Sequence, residues 1–139
     1  MDLLVNIDVD DLAKAIAFYQ QATEMRVGRR FGSLGVEMLG ASVSVFLLVK
    51  EAGSVASTST GEVRRYARHW TPVHLDFVVP ELEPAVRRAL DAGATIEGKI
   101  ETHSWGRIAY LADPFGHGIC FIQFHGRGYD EIAEEPKAS

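Results

Sequence analysis

The chain repeats one pattern of secondary structure in its two halves. Each half begins with a strand-like stretch, Val5–Val9 in the first and Val73–Val79 in the second, and a helix-like stretch follows. A shift of 70 positions places Ile7 on Phe77 and keeps the apolar residues of both strands on one face. Similarity at half the chain length predicts a duplicated unit.

Apolar spacing predicts the elements of this unit. A helix should start after Asp10 and Asp11, run to about Met25 and be followed by three strands, at 26–31, 34–39 and 42–50. The second half predicts a helix that ends at Gly93, then strands at 95–100, 105–111 and 117–124. Asp113–Gly116 has the residues of a type I turn, which makes the last two strands a hairpin. The predicted fold is α+β, with tandem βαβββ modules.

We expect a single domain of 139 residues, with modules at 3–50 and 70–126. A module of about 60 residues is marginal alone, so the two should share burial, within one chain or between chains. The linker, 51–69, begins small and polar and ends basic and aromatic; it is either a solvated connector or a flap whose arginines meet an acidic ligand. The tail, 127–139, is mostly polar and should pack loosely.

Charge and cysteine usage exclude several partners. The net charge is −5 and no basic field is visible, so a nucleic-acid partner is not expected. No apolar run is long enough for a membrane span, and the first residues do not resemble a signal peptide. The single cysteine, Cys120, cannot form an internal disulfide, which favours a cytoplasmic location.

Strand alternation also predicts a binding face. If the apolar side chains of the two opening strands pack on the helices, the intervening polar side chains face the other way. An apolar concavity with a few polar groups is typical of a small-molecule site. The candidate ligand-binding residues from this reasoning are Asn6, His74, Asp76 and Arg107, and in the last strand Cys120 and Ile122 share one face.

Each polar candidate has two interpretations. His74 and Asp76 are either a general base with its orienting carboxylate, and so weak catalytic candidates, or a salt bridge at a strand edge. Arg107 either binds a ligand carboxylate or phosphate or lies exposed on an edge strand. Cys120 is most simply a small core residue.

The order βαβββ–βαβββ carries two short motifs. Residues 11–19 read D-L-x-x-A-I-x-F-Y and residues 113–116 read D-P-x-G. With them the chain resembles, over residues 3–124, the vicinal oxygen chelate superfamily, which includes glyoxalase I, bleomycin and fosfomycin resistance proteins and extradiol dioxygenases. The resemblance implies a cup-shaped sheet in each half, a pocket on the face opposite the helix, and a homodimer. It also implies that the shared face of Cys120 and Ile122 lines the pocket, which adds both to the candidate ligand-binding residues.

The resemblance also implies metal ligands on the first and last strand of each half. Carried onto this chain, these positions are Leu4, about Leu47, His74 and Cys120. Leucine offers no lone pair, so the usual divalent metal is expected to be missing, with a site at His74 as the alternative. If the two halves are matched with an offset of 68 positions in place of 70, another possible set of metal ligands is Asn6, Asp8, His74 and Asp76.

Three functions are compatible with these residues. The first is a small-molecule-binding protein of the resistance type, without a cofactor and with a degenerate metal site, which sequesters or acts on a small organic metabolite. The alternative is a glyoxalase-like lyase or isomerase, or a dioxygenase-like enzyme, that uses an atypical divalent metal site or His74 as general base. The third is an interaction domain whose cup holds no ligand.

Overall fold

A computed structural model describes residues 1–135 and shows two modules of the same design. The first module contains β1 (Val5–Val9), α1 (Leu12–Thr23), β2 (Arg26–Arg30), β3 (Gly35–Leu39) and β4 (Val45–Val49). The second contains β5 (Leu75–Val78), α2 (Leu82–Ala92), β6 (Thr95–His103), β7 (Gly106–Ala112) and β8 (Gly118–Phe124). The predicted α+β fold of tandem βαβββ modules is confirmed.

Each module forms one four-stranded mixed sheet. The strand orders are β1-β4-β3-β2 and β5-β8-β7-β6, so the first strand of a module pairs in parallel with its last strand. The remaining pairs are antiparallel, and the outermost pair of each sheet has an irregular register. Such irregularities increase local twist, which suits a curved, cup-like sheet.

The two helices begin in different ways. The Asp11 side chain accepts a hydrogen bond from the Lys14 amide at 3.0 Å, which caps α1 as the sequence predicts. Glu81 makes no such bond, and the Leu82 amide donates to Oε1 of Gln123 at 2.8 Å. Helix α1 ends two residues before Met25, because Glu24 takes a left-handed backbone conformation with φ of 61°.

The core lies between the helices and the sheets. Helices α1 and α2 pack against each other, so the modules share one apolar interior. The predicted inward faces are confirmed, since Ile7 and Val9 are buried and Phe77 packs against the same core. The Tyr19 hydroxyl of α1 donates to Oδ2 of Asp113 at 2.6 Å and so joins the two modules through a buried hydrogen bond.

The predicted hairpin turn is present at Asp113–Gly116. The Gly116 amide donates to the Asp113 carbonyl at 3.1 Å. Oδ1 of Asp113 accepts the amides of Phe115 and His117 at 2.8 and 2.9 Å. One carboxylate therefore holds the turn and the intermodule bond together.

The linker is largely exposed, but specific contacts hold it to the protein up to residue 67. Residues 55 and 63 form an isolated antiparallel bridge. Nε of Arg64 donates to Oδ2 of Asp8 at 2.9 Å, and the Tyr66 hydroxyl donates to the Lys50 carbonyl. Arg64 and Arg68 of the linker thus pair with acidic residues of this chain, Asp8 and Glu97, and such pairs lie outside the reach of local sequence patterns.

The described part of the tail packs against β8. A short 3-10 helix covers Gly128–Glu131, and the ring of Tyr129 lies 4.8 Å from Phe124 and 5.3 Å from Trp105. Apart from this aromatic contact and the buried Gly128, the described tail residues are exposed. Residues 136–139 of the predicted tail lie outside the described residues. Within residues 1–135, no helix has the length and apolarity needed to cross a membrane.

Candidate functional site

In each module the face of the sheet opposite the core is called the cup. The cup of the second module carries one row of polar side chains. Strand register places Asp76 beside Cys120, Cys120 beside Tyr110, and Tyr110 beside Glu97. Directly paired residues point to the same face of a sheet, so the four side chains form a continuous row across all four strands. The face is the one opposite the core, since Phe121 and Leu111 on the alternate positions are fully buried.

Three of the predicted site residues meet at one end of this row. Donor atoms of His74, Asp76 and Cys120 all lie within 4.8 Å of one another. Nδ1 of His74 and Oδ1 of Asp76 are 3.1 Å apart. The Cys120 residue is 5% exposed, and burial, together with the Asp76 carboxylate, raises the pKa of its thiol to about 12.

A small cavity lies over Cys120. Its volume is about 150 Å³, and its walls include Arg68, Trp70, His74 and Tyr110. The guanidinium of Arg68 holds both carboxylate oxygens of Glu97, at 2.6 and 2.9 Å. Burial, with the carboxylate of Glu101 as the next cause, raises the pKa of Tyr110.

A larger groove adjoins this cavity along the free edge of β1. Its volume is about 580 Å³, and it shares Thr71, His74, Gly118 and Ile119 with the cavity over Cys120. The side of β1 contributes residues 3–8, so Asn6 lies in the groove as predicted. Small organic ligands occupy pockets of about 300–1,000 Å³, a range that this groove fits.

Arg107 does not belong to this site. Its guanidinium pairs with Glu83 at the start of α2, and its strand neighbour Gln123 points to the same helix. The prediction that Arg107 faces the pocket is therefore wrong. Strand β7 places Ile108 and Tyr110 in the cup, and alternation turns Arg107 toward the helix.

Ile122 lies on the cup face but beneath the surface. It is 1% exposed and packs with Ile108 and Cys120, with Trp105 against them. Its part in the site is to form the apolar floor under the polar row.

The first module supplies no metal ligand at the positions implied by the resemblance. Leu47 is fully buried in the core beside Ile7, so its assignment to the cup is wrong. The cup position is Phe46, which pairs with Asn6 as Cys120 pairs with Asp76. Neither Phe46 nor Leu4 has an atom that binds a metal, so a four-donor centre does not fit this chain.

The starts of the first two elements decide between the two shifts of the repeat. Strand β1 and helix α1 begin at Val5 and Leu12, and β5 and α2 begin at Leu75 and Leu82, which corresponds to a shift of 70. Under this shift Asn6 matches Asp76, and Asp8 is held by Arg64. Asp8 does not join His74 and Asp76 in a group of possible metal ligands within residues 1–135.

The first cup holds an ion pair that the sequence did not predict. Glu37 of β3 is 6% exposed and accepts Nε and Nη2 of Arg29 at 3.1 and 2.8 Å. The hydrogen bond from Arg29 lowers the pKa of Glu37 to about 2. Alternation within β3 could have placed Glu37 in the cup, but its partner across the bulged strand pair could not be predicted.

Sequence reasoning also missed Arg68, Tyr110 and Glu97. The alternation of side chains along β6 and β7 could have identified Glu97 and Tyr110, since both lie on the cup face. Arg68 belongs to the linker, and only the docking of that segment brings it to the cup.

Two βαβββ modules with cup-shaped outer faces define the glyoxalase/bleomycin resistance/dioxygenase fold of the vicinal oxygen chelate superfamily. A model of the glyoxalase-like domain matches residues 4–122. The chain belongs to this family.

Sequence relatives occur in mycobacteria. An uncharacterized protein of Mycobacterium bovis is 32% identical over 113 residues, which cover 78% of this chain and 74% of that protein. A Mycobacterium tuberculosis protein, also described as uncharacterized, has the same identity over 66% of its length.

Solved structures share the fold. A glyoxalase/bleomycin resistance protein/dioxygenase family enzyme from Burkholderia phytofirmans superposes with a TM-score of 0.73 at 20% identity, covering 90% of this chain and all of that one. The fosfomycin resistance protein FosX from Listeria monocytogenes gives 0.66 at 17% identity, over 88% of this chain and 92% of its own. A variant of FosX was solved with Mn(II) and 1S,2S-dihydroxypropylphosphonic acid.

Proposed function

We propose that the protein binds a small organic molecule in the groove along β1 and the adjoining cavity over Cys120, without a four-donor metal centre. The groove carries this proposal: about 580 Å³ of space at the meeting of the two modules, lined by apolar side chains and a few polar groups. The FosX complex supports it in general terms, because a small molecule is bound on the same fold there.

The chemistry of the lining favours an amphipathic or aromatic ligand. Leu3, Leu4 and Val73 present exposed apolar surface to the groove. Asn6 and His74 offer hydrogen bonds that would orient the ligand. Asp8, a third polar wall residue, is already neutralised by an arginine, so the groove holds little free charge.

A ligand screen tests the proposal. Aromatic and amphipathic metabolites would be screened by thermal shift, and hits titrated calorimetrically against wild type, Asn6→Leu and Arg107→Gln. Asn6→Leu should weaken binding about tenfold, the factor expected for one lost hydrogen bond. Arg107→Gln is the matched control and should bind like wild type, since Arg107 lies on the helix face.

Two results would contradict the proposal. One is a hit whose affinity Asn6→Leu leaves unchanged. The other is a screen without hits combined with a crystal structure in which the groove is closed by its own side chains, which supports the interaction-domain hypothesis.

The absence of a four-donor metal centre is tested separately. Protein purified without an affinity tag should contain no stoichiometric divalent metal by elemental analysis. A chelator should leave the melting temperature unchanged, because a metal bound only to the native state stabilises it by linkage. A clear drop in melting temperature after chelation would contradict this part of the proposal.

A second candidate function rests on the cluster of His74, Asp76 and Cys120. Imidazole, carboxylate and thiolate are all ligands of Zn²⁺, and three protein ligands leave a position open for substrate. A Zn²⁺ ion held by these three residues would supply a Lewis acid for a glyoxalase-like lyase or isomerase reaction. Without metal, His74 would act as general base, with the Asp76 carboxylate orienting its ring.

The two functions give opposite results in one experiment. The enzyme hypothesis expects one Zn²⁺ per chain in wild type and its loss in Cys120→Ala, or an activity that His74→Ala abolishes. The binding hypothesis expects neither metal nor turnover. Ser57→Ala, in the linker hairpin, is a control that should leave both measurements unchanged.

A homodimer and a cytoplasmic location remain predictions. Exposed apolar residues near the groove, among them Leu4 at 61% and Trp70 at 77%, support a dimer that would cover them. Sedimentation equilibrium should give twice the mass of the chain across micromolar concentrations. A monomer at all concentrations would contradict the expectation.

A further inference from the structure

The stretch from the end of the linker to the start of β5, residues 64–73, is held unevenly. Residues 64–67 are anchored by Arg64 on Asp8 and by Tyr66, whose ring meets Phe115 at 6.3 Å. The backbone of Ala67 lies so close to the hairpin turn that a Cβ on Gly116 would collide with its carbonyl group. The chain is therefore fixed up to Ala67.

The next six residues, 68–73, are fixed far less firmly; we name them the cover segment. All of them are exposed except His69, which is half-buried. Within residues 1–135, one backbone hydrogen bond ties the cover segment to the rest of the protein, from His69 to Gly116 at 3.4 Å. This is long for an N–H···O bond and contributes little.

Two side-chain contacts hold the cover segment: the His69 ring lies 5.9 Å from the His117 ring, and Arg68 forms an ion pair with Glu97. Both side chains are more than a third exposed, at 39% and 36%. Arg68 reaches Glu97 across Gly118, where a Cβ would lie 3.0 Å from its Nη2. An exposed ion pair of this kind is weak and screened by salt, so it is easily released.

The cover segment also separates the two cavities. Arg68, Trp70 and Thr71 line the cavity over Cys120, whereas His69, Thr71 and Val73 line the groove along β1. The cavity over Cys120, about 150 Å³, is too small for most organic ligands. Moving the cover segment would join it to the groove.

We propose that residues 68–73 form a hinged cover, latched by the Arg68–Glu97 ion pair, and that release of the latch opens the cavity over Cys120 to a ligand held in the groove. The hinge lies at Ala67, where the fixed part of the linker ends. That the groove holds a ligand rests on the proposed function, whereas the motion of the cover segment can be tested without any ligand.

Cys120 is the single cysteine of the chain and lies under the cover segment, so its reaction rate reports opening. Modification of the native full-length chain by 4,4′-dithiodipyridine, an uncharged reagent, would be followed at fixed pH. Arg68→Gln and Glu97→Gln should both react about two- to fivefold faster than wild type, as expected for loss of one exposed ion pair. Arg107→Gln, which breaks an ion pair on the helix face, should react at the wild-type rate.

Charge effects on the thiol can be separated from opening. The Arg68 cation lowers the pKa of Cys120 and the Glu97 carboxylate raises it. Electrostatics alone would therefore slow Arg68→Gln and accelerate Glu97→Gln, whereas opening accelerates both. Acceleration of Glu97→Gln alone would overturn the proposal, as would equal acceleration in Arg107→Gln.

Salt and hydrogen exchange give independent readouts. Sodium chloride at about 0.5 M should accelerate Cys120 modification in wild type and have no effect in Arg68→Gln, because the latch is already absent there. The His69 amide, which donates the backbone hydrogen bond of the cover segment, should exchange faster in Arg68→Gln, with the Arg64 amide unchanged. A salt-independent rate in wild type, or unchanged exchange in the cover segment, would contradict a latch at this ion pair.

Discussion

Tyr19 and Asp113 are 94 positions apart, yet they form a buried hydrogen bond of 2.6 Å between the modules. Burial, with the Asp113 carboxylate as the next cause, raises the pKa of Tyr19 well above its usual value. The hydroxyl therefore stays protonated and donates throughout the physiological range.

Replacing this hydroxyl should destabilise the whole protein. Tyr19→Phe removes the donor and leaves Oδ2 of Asp113 buried without its partner. We expect the free energy of unfolding to fall by about 1–3 kcal/mol, measured by urea denaturation. Tyr129→Phe, at an exposed ring, should change it little; equal losses in both variants would contradict a special role for Tyr19.

The ion pair of Glu37 with Arg29 should make an acid-sensitive contribution to the stability of the folded protein. Its pKa is about 2 in the folded state, against an ordinary value of 4.5, because Arg29 holds the ionised form. The stabilisation is complete above pH 4.5 and is lost as the pH falls toward 2, since the unfolded chain binds the proton first.

The prediction is tested by melting temperatures measured from neutral pH down to about pH 2, the folded-state pKa of Glu37. Glu37→Gln should show a shallower decline over this window than wild type, and Glu62→Gln should decline as wild type does. A parallel decline of wild type and Glu37→Gln would show that the Arg29 contact contributes nothing to acid sensitivity.

At the scale of the elements, the two helices differ in how their first turns are satisfied. The Asp11 side chain caps α1, whereas in α2 the Leu82 amide donates to Oε1 of Gln123 in β8. The first cap is local and was predicted from sequence. The second depends on tertiary structure, because the donor and acceptor are 41 positions apart.

This difference predicts unequal effects of matched substitutions. Asp11→Ala should lower the free energy of unfolding by about 1 kcal/mol, because it removes the cap of α1. Glu81→Ala should have a much smaller effect, since Glu81 makes no capping bond. Both would be measured by urea denaturation, and equal losses would show that Glu81 caps α2 in solution.

At the scale of the molecule, the packing of α1 on α2 and the Tyr19–Asp113 bond make the modules one folding unit. Unfolding in urea should therefore be a single transition, with coincident curves from far-UV circular dichroism and tryptophan fluorescence. Both tryptophans lie outside the first module, so a module that unfolds separately would separate the two curves and contradict the prediction.

The sequence predicted the inward faces, the helices and the hairpin because each depends on residues close together in the chain. Ile7, Phe77 and the Asp113 turn illustrate this, since two-residue alternation and turn chemistry are local rules. Arg107 shows the limit: alternation offered two faces, and only the pairing with Gln123 showed which one it occupies.

Local patterns alone were therefore enough to predict two βαβββ modules, their inward faces and an opposite face that carries His74 and Asp76, whereas the place of Cys120 on that face followed from the family resemblance. Only the tertiary structure decided which charges neutralise each other and how the linker meets the cup. The physical reason is distance along the chain: Arg64 reaches Asp8 over 56 positions and Arg68 reaches Glu97 over 29, and no local periodicity carries information about such pairs.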